Sequence, residues 1–223
     1  RYMKRIFLSV LFICTFLSHL TAQTGKESEL IKQNYIRSVI GQDESKQAFL
    51  QLLSKIPPEK EVSDQNVIEL QQLYPIRREE IHRLISTIRG DGSWSDINYA
   101  DTKRSGWEPK QHAERILKLT KYYAREKENA SAQEISAVTS IIHQAMNYWF
   151  TEKLVCKNWW YNQIGIPRTL GPAFLLFEAE MTEKEKQEAV RVMEQSHFGM
   201  TGQNKVWLAG NVLIRGLLLN DSQ

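Results

Sequence analysis

The chain has 223 residues, enough for one sizeable core, and its 42% hydrophobic and 25% charged content is that of an ordinary soluble globular protein. Its formal net charge is only +3. That balance excludes recognition by bulk positive charge: no nucleic-acid partner is expected, and an anionic ligand needs a local basic groove.

The first 22 residues read as a secretory signal peptide. Arg1 and Tyr2 stand before the start-like Met3, Lys4 and Arg5 form a basic region, an apolar run follows over 6–17 (IFLSVLFICTFL), and Ala22 is the small residue before the cut. The run is too short to span a bilayer, which takes about 20 residues. Export is therefore expected, to the periplasm or beyond, with no membrane span left in the mature part, 23–223. Removing Arg1, Lys4 and Arg5 from the 29 basic residues leaves 26 against 26 acidic ones, so the mature net charge is zero. Cys14 lies in the leader, which leaves Cys156 alone and excludes an intrachain disulfide.

Helical signals dominate the rest. Apolar spacings of three and four predict helices over 27–40 and 44–56, separated by Gly41, with Pro57 and Pro58 ending the second. Ser63 can cap a helix running toward Arg89, broken near Tyr74 by Pro75 and stopped by Gly90. The polar, aromatic stretch 91–107 (DGSWSDINYADTKRSGW) reads as a long ordered loop. Helices follow over 108–127, with Pro109 in the first turn, and over 131–154. Asn158 to Gly165 reads as a loop leading to a short helix from about Thr169 to Glu178. Thr182 and Glu185 make a capping box for a helix ending near Gln195. A tight turn over 199–203 precedes a last helix toward Leu219. No period-two strand is visible, so the class is all-α, built from helix pairs joined by short loops, as in bundles, solenoids and toroids. The apolar run of the last helix (VLIRGLLL) wants a partner element, which makes the fold look unfinished at Gln223.

No metal motif appears: the five histidines show no His-x3-His pair and no ligating cysteine set. No phosphate loop and no Gly-x-Ser-x-Gly elbow appear either. His112, on a helix near Glu108 and Arg115, reads as an ordinary satisfied histidine. The unusual feature is the placing of aromatics beside amides. In KNWWYNQIGIPR, Trp159 and Trp160 are flanked by Asn158, Tyr161 and Asn162. Flat aromatics stack on the apolar C–H faces of sugars while amides bond the hydroxyls. In HFGMTGQNKVW, Phe198, Asn204 and Trp207 stand around glycines that let the backbone turn. Packing explanations stand beside these: one tryptophan can point inward while the other caps a helix, and Asn204 can be a plain N-cap residue. A third cluster, around Trp94, Asp96, Asn98, Tyr99 and Trp107, reads as mainly architectural.

NWWYNQIGIPR, followed by TGQN, resembles polysaccharide lyase family 8, the chondroitin AC, hyaluronate and xanthan lyases. DGSWSDINYAD and GWEPKQHAERI resemble the early part of that family's catalytic domain, so the similarity covers 91–220, with the chondroitin AC-type lyases the most similar. The resemblance implies an incomplete α/α toroid of helical hairpins, of which this chain is the N-terminal portion, followed by β-sandwich domains. It implies a cleft with an aromatic patch, matched by Trp159, Trp160 and Phe198. It implies a catalytic Asn that binds the uronate carboxylate, matched by Asn204, and a cleft amide, matched by Asn158. The substrate class is acidic polysaccharide, chondroitin or hyaluronan, cleaved by β-elimination. The family's catalytic His and Tyr belong to a later motif that nothing after Asn204 matches, and His197 precedes the Asn. The fragment is thus expected to be inactive by itself. The scheme calls for no metal or organic cofactor. Two other readings are a non-catalytic acidic-glycan-binding module and a glycoside hydrolase on a similar toroid, which needs two carboxylates flanking the bond; Asp91 with Asp96, or Glu178 with Glu180, are its candidates.

Overall fold

The computed structural model describes residues 25–41 and 77–219. Among these, every regular element is helical, and the single extended pairing is an isolated bridge between Ile88 and Trp94. The leader over 1–22, the helix over 44–56 and the Ser63 cap with its Pro75 break lie outside the described residues.

Helix α1 covers 25–40 and ends at Gly41, whose φ of 75° is the left-handed conformation that closes a helix. Its buried face puts Ile40 in the core, with Tyr35, Ile36 and Val39 packed against it. Lys32 is ion-paired with Glu178, just past the end of a helix far along the chain.

Helix α2, Arg78–Thr87, carries Glu79 and Glu80 in its first turn, where the helix dipole favours negative charge, and buries Ile81 and Leu84. It stops short of the expected Arg89. The reason is local: Ile88 is extended and bridges Trp94, while the Arg89 N–H donates to the Ser93 carbonyl at 2.8 Å. The tight return passes through Gly92, with φ 89°; a Cβ there would sit 2.2 Å from the Gln144 carbonyl oxygen. The loop to Pro109 is ordered, as its composition suggests. Trp94 and Trp107 are both fully buried and donate their indole N–H groups to the Leu84 and Asp101 carbonyls.

Helix α3, Lys110–Glu126, and helix α4, Ala132–Glu152, form a hairpin. Ser131 caps α4 by accepting from the Glu134 N–H at 3.2 Å, and Lys153, at φ 46°, ends it. Helix α5, Ile166–Phe177, is apolar nearly all round and packs on α3. Helix α6, Glu183–Glu194, opens with the expected capping box of Thr182 and Glu185. Helix α7, Gly202–Leu219, packs on α5 and α6. Gly171 of α5 permits this: a Cβ there would lie 2.9 Å from Met193 Cε and 3.0 Å from Ile214 Cγ2. The core thus runs continuously from α2 and α4, through α3 and α5, to α6 and α7. No helix among the described residues is long and apolar enough to cross a membrane.

Candidate functional site

The expected loop from Asn158 to Gly165 is helical instead. Trp159 and Trp160 begin the helix, a π-helical turn covers Tyr161–Gly165, and α5 continues directly, so the helix placed near Thr169 starts earlier. Side-chain amides explain this. Asn158 Oδ1 accepts the Trp160 N–H at 3.1 Å, and its carbonyl accepts the Tyr161 N–H at 3.1 Å, so Asn158 initiates the helix. Asn162 turns back on the entry strand of chain, accepting the Cys156 N–H at 2.9 Å and donating to the Cys156 carbonyl at 2.8 Å.

In the wide turn the Ile166 N–H reaches the Tyr161 carbonyl, five residues back, and Pro167 comes next. In an ordinary α-helix the N–H that reaches the Gln163 carbonyl belongs to residue 167, and proline has none. That carbonyl instead accepts from Ser196 Oγ at 2.5 Å. Asn211 Nδ2 then donates to both the Ile164 carbonyl, at 3.2 Å, and Ser196 Oγ, at 3.0 Å. Ser196 and Asn211 are 0% and 1% exposed. Buried carbonyls at helix irregularities need such partners. The clamp fixes the tryptophan turn to α7 and to the segment before it.

Of the five residues singled out by sequence, Trp159 is 43% exposed and Phe198 62% exposed, so both large aromatic surfaces face solvent. Trp160 is half-buried. Its ring covers Gly165, where a Cβ would come within 2.7 Å of Cζ3, and meets the Trp207 ring edge-to-face at 5.7 Å. Asn204 lies half-buried in the first turn of α7, three residues before Trp207 and so on the same side of the helix. The structure therefore joins Trp160 to the Asn204 helix through Trp207. Phe198 follows two residues after the Ser196 anchor. Asn158 is committed internally: its Nδ2 donates to the Arg104 carbonyl at 3.0 Å while its Oδ1 initiates the helix. Trp207 also carries the Arg168 guanidinium over its face, 5.1 Å from the centroid. Sequence reasoning passed over Ser196 and Asn211. A proline just inside a helix, at 167, was the available signal that an unpaired carbonyl would need them.

The third aromatic cluster is architecture. The Trp94 N–H donates to Tyr99 Oη at 3.0 Å, Tyr99 bonds His112 Nδ1 at 2.8 Å, and His112 Nε2 bonds the Ala145 carbonyl at 2.8 Å. A carbonyl only accepts, so Nε2 carries the hydrogen and Nδ1 accepts from the tyrosine. Burial pushes the His112 pKa down to about 4 and that of Tyr99 up to about 12. Both groups are thus neutral and saturated, not poised for proton transfer. His197 is exposed beside Ser196.

The carboxylates available to a hydrolase are also occupied. Asp91 accepts from the Ser93 N–H and Oγ, and Asp96 pairs bidentately with Arg115 at 2.7 and 2.6 Å. Glu178 pairs with Lys32, and Glu180 accepts from Tyr123 Oη at 2.6 Å. Among the described residues no group of three or more His, Cys, Asp and Glu is arranged to hold a metal ion.

The all-helical scaffold is the fold class that the resemblance implies. Residues 58–223 match the model of the N-terminal alpha-helical domain of polysaccharide lyase family 8, and the chain belongs to that family. A chondroitinase-AC from Pedobacter heparinus is 26% identical over 141 residues, which are 61% of this chain and 20% of that protein. Among solved structures, a chondroitinase AC lyase, whose active site was defined from oligosaccharide complexes and mutagenesis, matches with a TM-score of 0.56 and 24% identity, over 66% of this chain and 23% of that one. A Paenibacillus xanthan lyase matches with a TM-score of 0.61 and 15% identity, over 89% of this chain and 18% of that one. At these identities the structural matches speak to fold. The chain spans about a fifth of the length of these relatives.

Proposed function

We propose that this chain supplies the aromatic platform and the carboxylate-binding amide of a lyase that cleaves uronic-acid polysaccharides, chondroitin or hyaluronan, by β-elimination. The observation that carries the reading is the clamped unit of tryptophan turn and α7: Trp159 faces solvent, and Trp160 leans on Trp207, one turn from Asn204. Family membership and the chondroitinase-AC relative support the choice of substrate class. The toroid that such a scaffold would complete, and the cleft it would frame, belong to this proposal.

Elimination removes the C5 proton beside the uronate carboxylate, so negative charge spreads onto that carboxylate in the transition state. A neutral, fixed amide donor at Asn204 stabilises this growing charge more than it stabilises the ground state. Stacking on Trp159 holds the sugar so that the scissile bond meets the amide. A base takes the C5 proton and an acid protonates the departing 4-oxygen, leaving an unsaturated uronide. No residue after Asn204 matches the family's His and Tyr motif, and Tyr99 and His112 saturate each other. The 223-residue chain by itself should therefore bind acidic glycan and turn over none.

The test is ultraviolet absorbance of the conjugated product on incubation with chondroitin and hyaluronan, beside a direct binding measurement. Binding without absorbance is the expected result. Robust turnover would place the base within these residues and refute the assignment, while absence of binding to either glycan would refute the platform. Export is part of the same proposal. Mass spectrometry of the protein from its host should find a start near Gln23, and an intact leader on the soluble protein would contradict it.

A further inference from the structure

A chain of zero mature net charge that grips a polyanion needs its cations gathered at one place. The loop before α3 supplies them beside the tryptophan turn. The Arg104 carbonyl accepts from Asn158 Nδ2 at 3.0 Å, the Lys103 carbonyl accepts from Cys156 Sγ–H at 3.5 Å, and the Gly106 N–H donates to Tyr161 Oη at 3.2 Å. Residues 103–106 are thereby strapped along the first residues of the turn, which puts the backbone of Lys103 and Arg104 against Cys156 and Asn158, the two neighbours of Lys157 in the chain. Lys103, Arg104 and Lys157 are exposed. Asp101 is held by the Lys103 and Glu108 N–H groups. Glu108 accepts the Asn98 N–H at 3.1 Å and pairs with Lys103 at 3.6 Å, which partly offsets that one cation. Among the described residues, no carboxylate is paired with Arg104 or Lys157.

We propose that Lys103, Arg104 and Lys157 form a cationic rim that binds the anionic substituents of the polysaccharide lying on Trp159, and so sets which acidic glycans this chain prefers. The inference rests on the platform reading above and deepens it. It also gives Asn158 a second task. Its amide does not have to touch the sugar to matter, because it holds the cation-bearing loop against the stacking surface. The shared ligand chemistry is an anionic oxygen group on the glycan, either a uronate carboxylate or a sulfate ester, and a guanidinium or ammonium serves both.

The experiment is equilibrium binding of the full chain to sulfated chondroitin and to unsulfated hyaluronan across a salt series. The comparison is with the triple variant Lys103→Gln/Arg104→Gln/Lys157→Gln and with Trp159→Ala. These are surface positions, and circular dichroism is the check that each variant keeps its helices. The triple variant should bind on the order of tenfold more weakly at low salt, and log Kd should depend less steeply on log salt, because rim cations act through screened charge. Trp159→Ala should lose affinity with the salt slope kept. A loss confined to the sulfated glycan assigns the rim to sulfate, and an equal loss on both assigns it to the carboxylate; either supports the proposal. Wild-type binding with affinity and slope unchanged in the triple variant overturns the rim alone. No wild-type binding to either glycan overturns the rim together with the platform.

Discussion

His112 shows how much one buried side chain can contribute to stability. Its pKa is pushed from 6.5 to about 4, first by burial, while the unfolded chain titrates normally. Between those values the unfolded state binds more protons, so stability rises with pH through this window, is fully present above about 6.5, and is lost as pH falls toward 4. The shift corresponds to about 3 kcal/mol. Urea midpoints measured from pH 7.5 to 4 should show this slope, and His112→Gln should flatten it, with its largest loss of stability at pH 7.5 and a smaller one toward pH 4. Gly92 is the opposite kind of residue, needed for what it lacks. With φ 89° and a Cβ position 2.2 Å from the Gln144 carbonyl oxygen, it combines a backbone conformation that side-chain-bearing residues rarely adopt with a steric block. Gly92→Ala should cost at least about 2–3 kcal/mol by denaturant unfolding, whereas Gly106→Ala, with φ 65° and open space around it, should cost only about 1.

At the scale of elements, the widened turn and its clamp carry the most specific expectation. Ser196→Ala removes the hydroxyl that donates to the part-buried Gln163 carbonyl and accepts from Asn211, a loss of about 1–3 kcal/mol. The same substitution should cost less beside Pro167→Ala, because residue 167 then has an N–H to offer. A double-mutant cycle on urea midpoints reads this coupling directly, and strict additivity would show that the serine and the proline act independently. The helices were legible because their signals are local: the Thr182–Glu185 box, the Ser131 cap and the apolar spacings all lie within a turn or two of sequence. The turn at 158–165 was misread for the converse reason. Two tryptophans and a glycine look like a loop in isolation; Asn158 initiates the helix locally, and the Gln163 and Ile164 carbonyls of the turn find donors only in Ser196 and Asn211, more than thirty residues away. The candidate residues themselves were legible by type, and their grouping was not. That Trp160 reaches the Asn204 helix through Trp207, and that Asn158 is tied to Arg104, depends on packing between segments.

For the molecule as a whole, the proposed activity divides between contributions that can be separated. In a complete lyase of this family carrying these residues, Asn204→Ala should lower kcat by about 10²–10³ while KM moves far less, since the amide meets its full charge only in the transition state. Trp159→Ala should mainly weaken binding, by on the order of 1–3 kcal/mol, by analogy with other stacking surfaces. Steady-state kinetics on chondroitin distinguishes the two, and a purely KM effect of Asn204→Ala would remove its catalytic assignment.

The thiol of Cys156 offers a different view of the same region. It is 3% exposed and lies between the Lys103 carbonyl, to which it donates, and the Asn158 N–H, which donates to it at 3.4 Å. A modifying reagent can reach it only when the strap over the tryptophan turn lifts, so its labelling rate counts openings of that strap, not collisions with the surface. Alkylation followed by peptide mass, read at Cys156, should thus be slow in the free protein. It should be slower still with acidic glycan bound across Trp159, and fast in Asn158→Ala, where the latch is cut. Occupancy could in this way be read through a residue that no glycan touches.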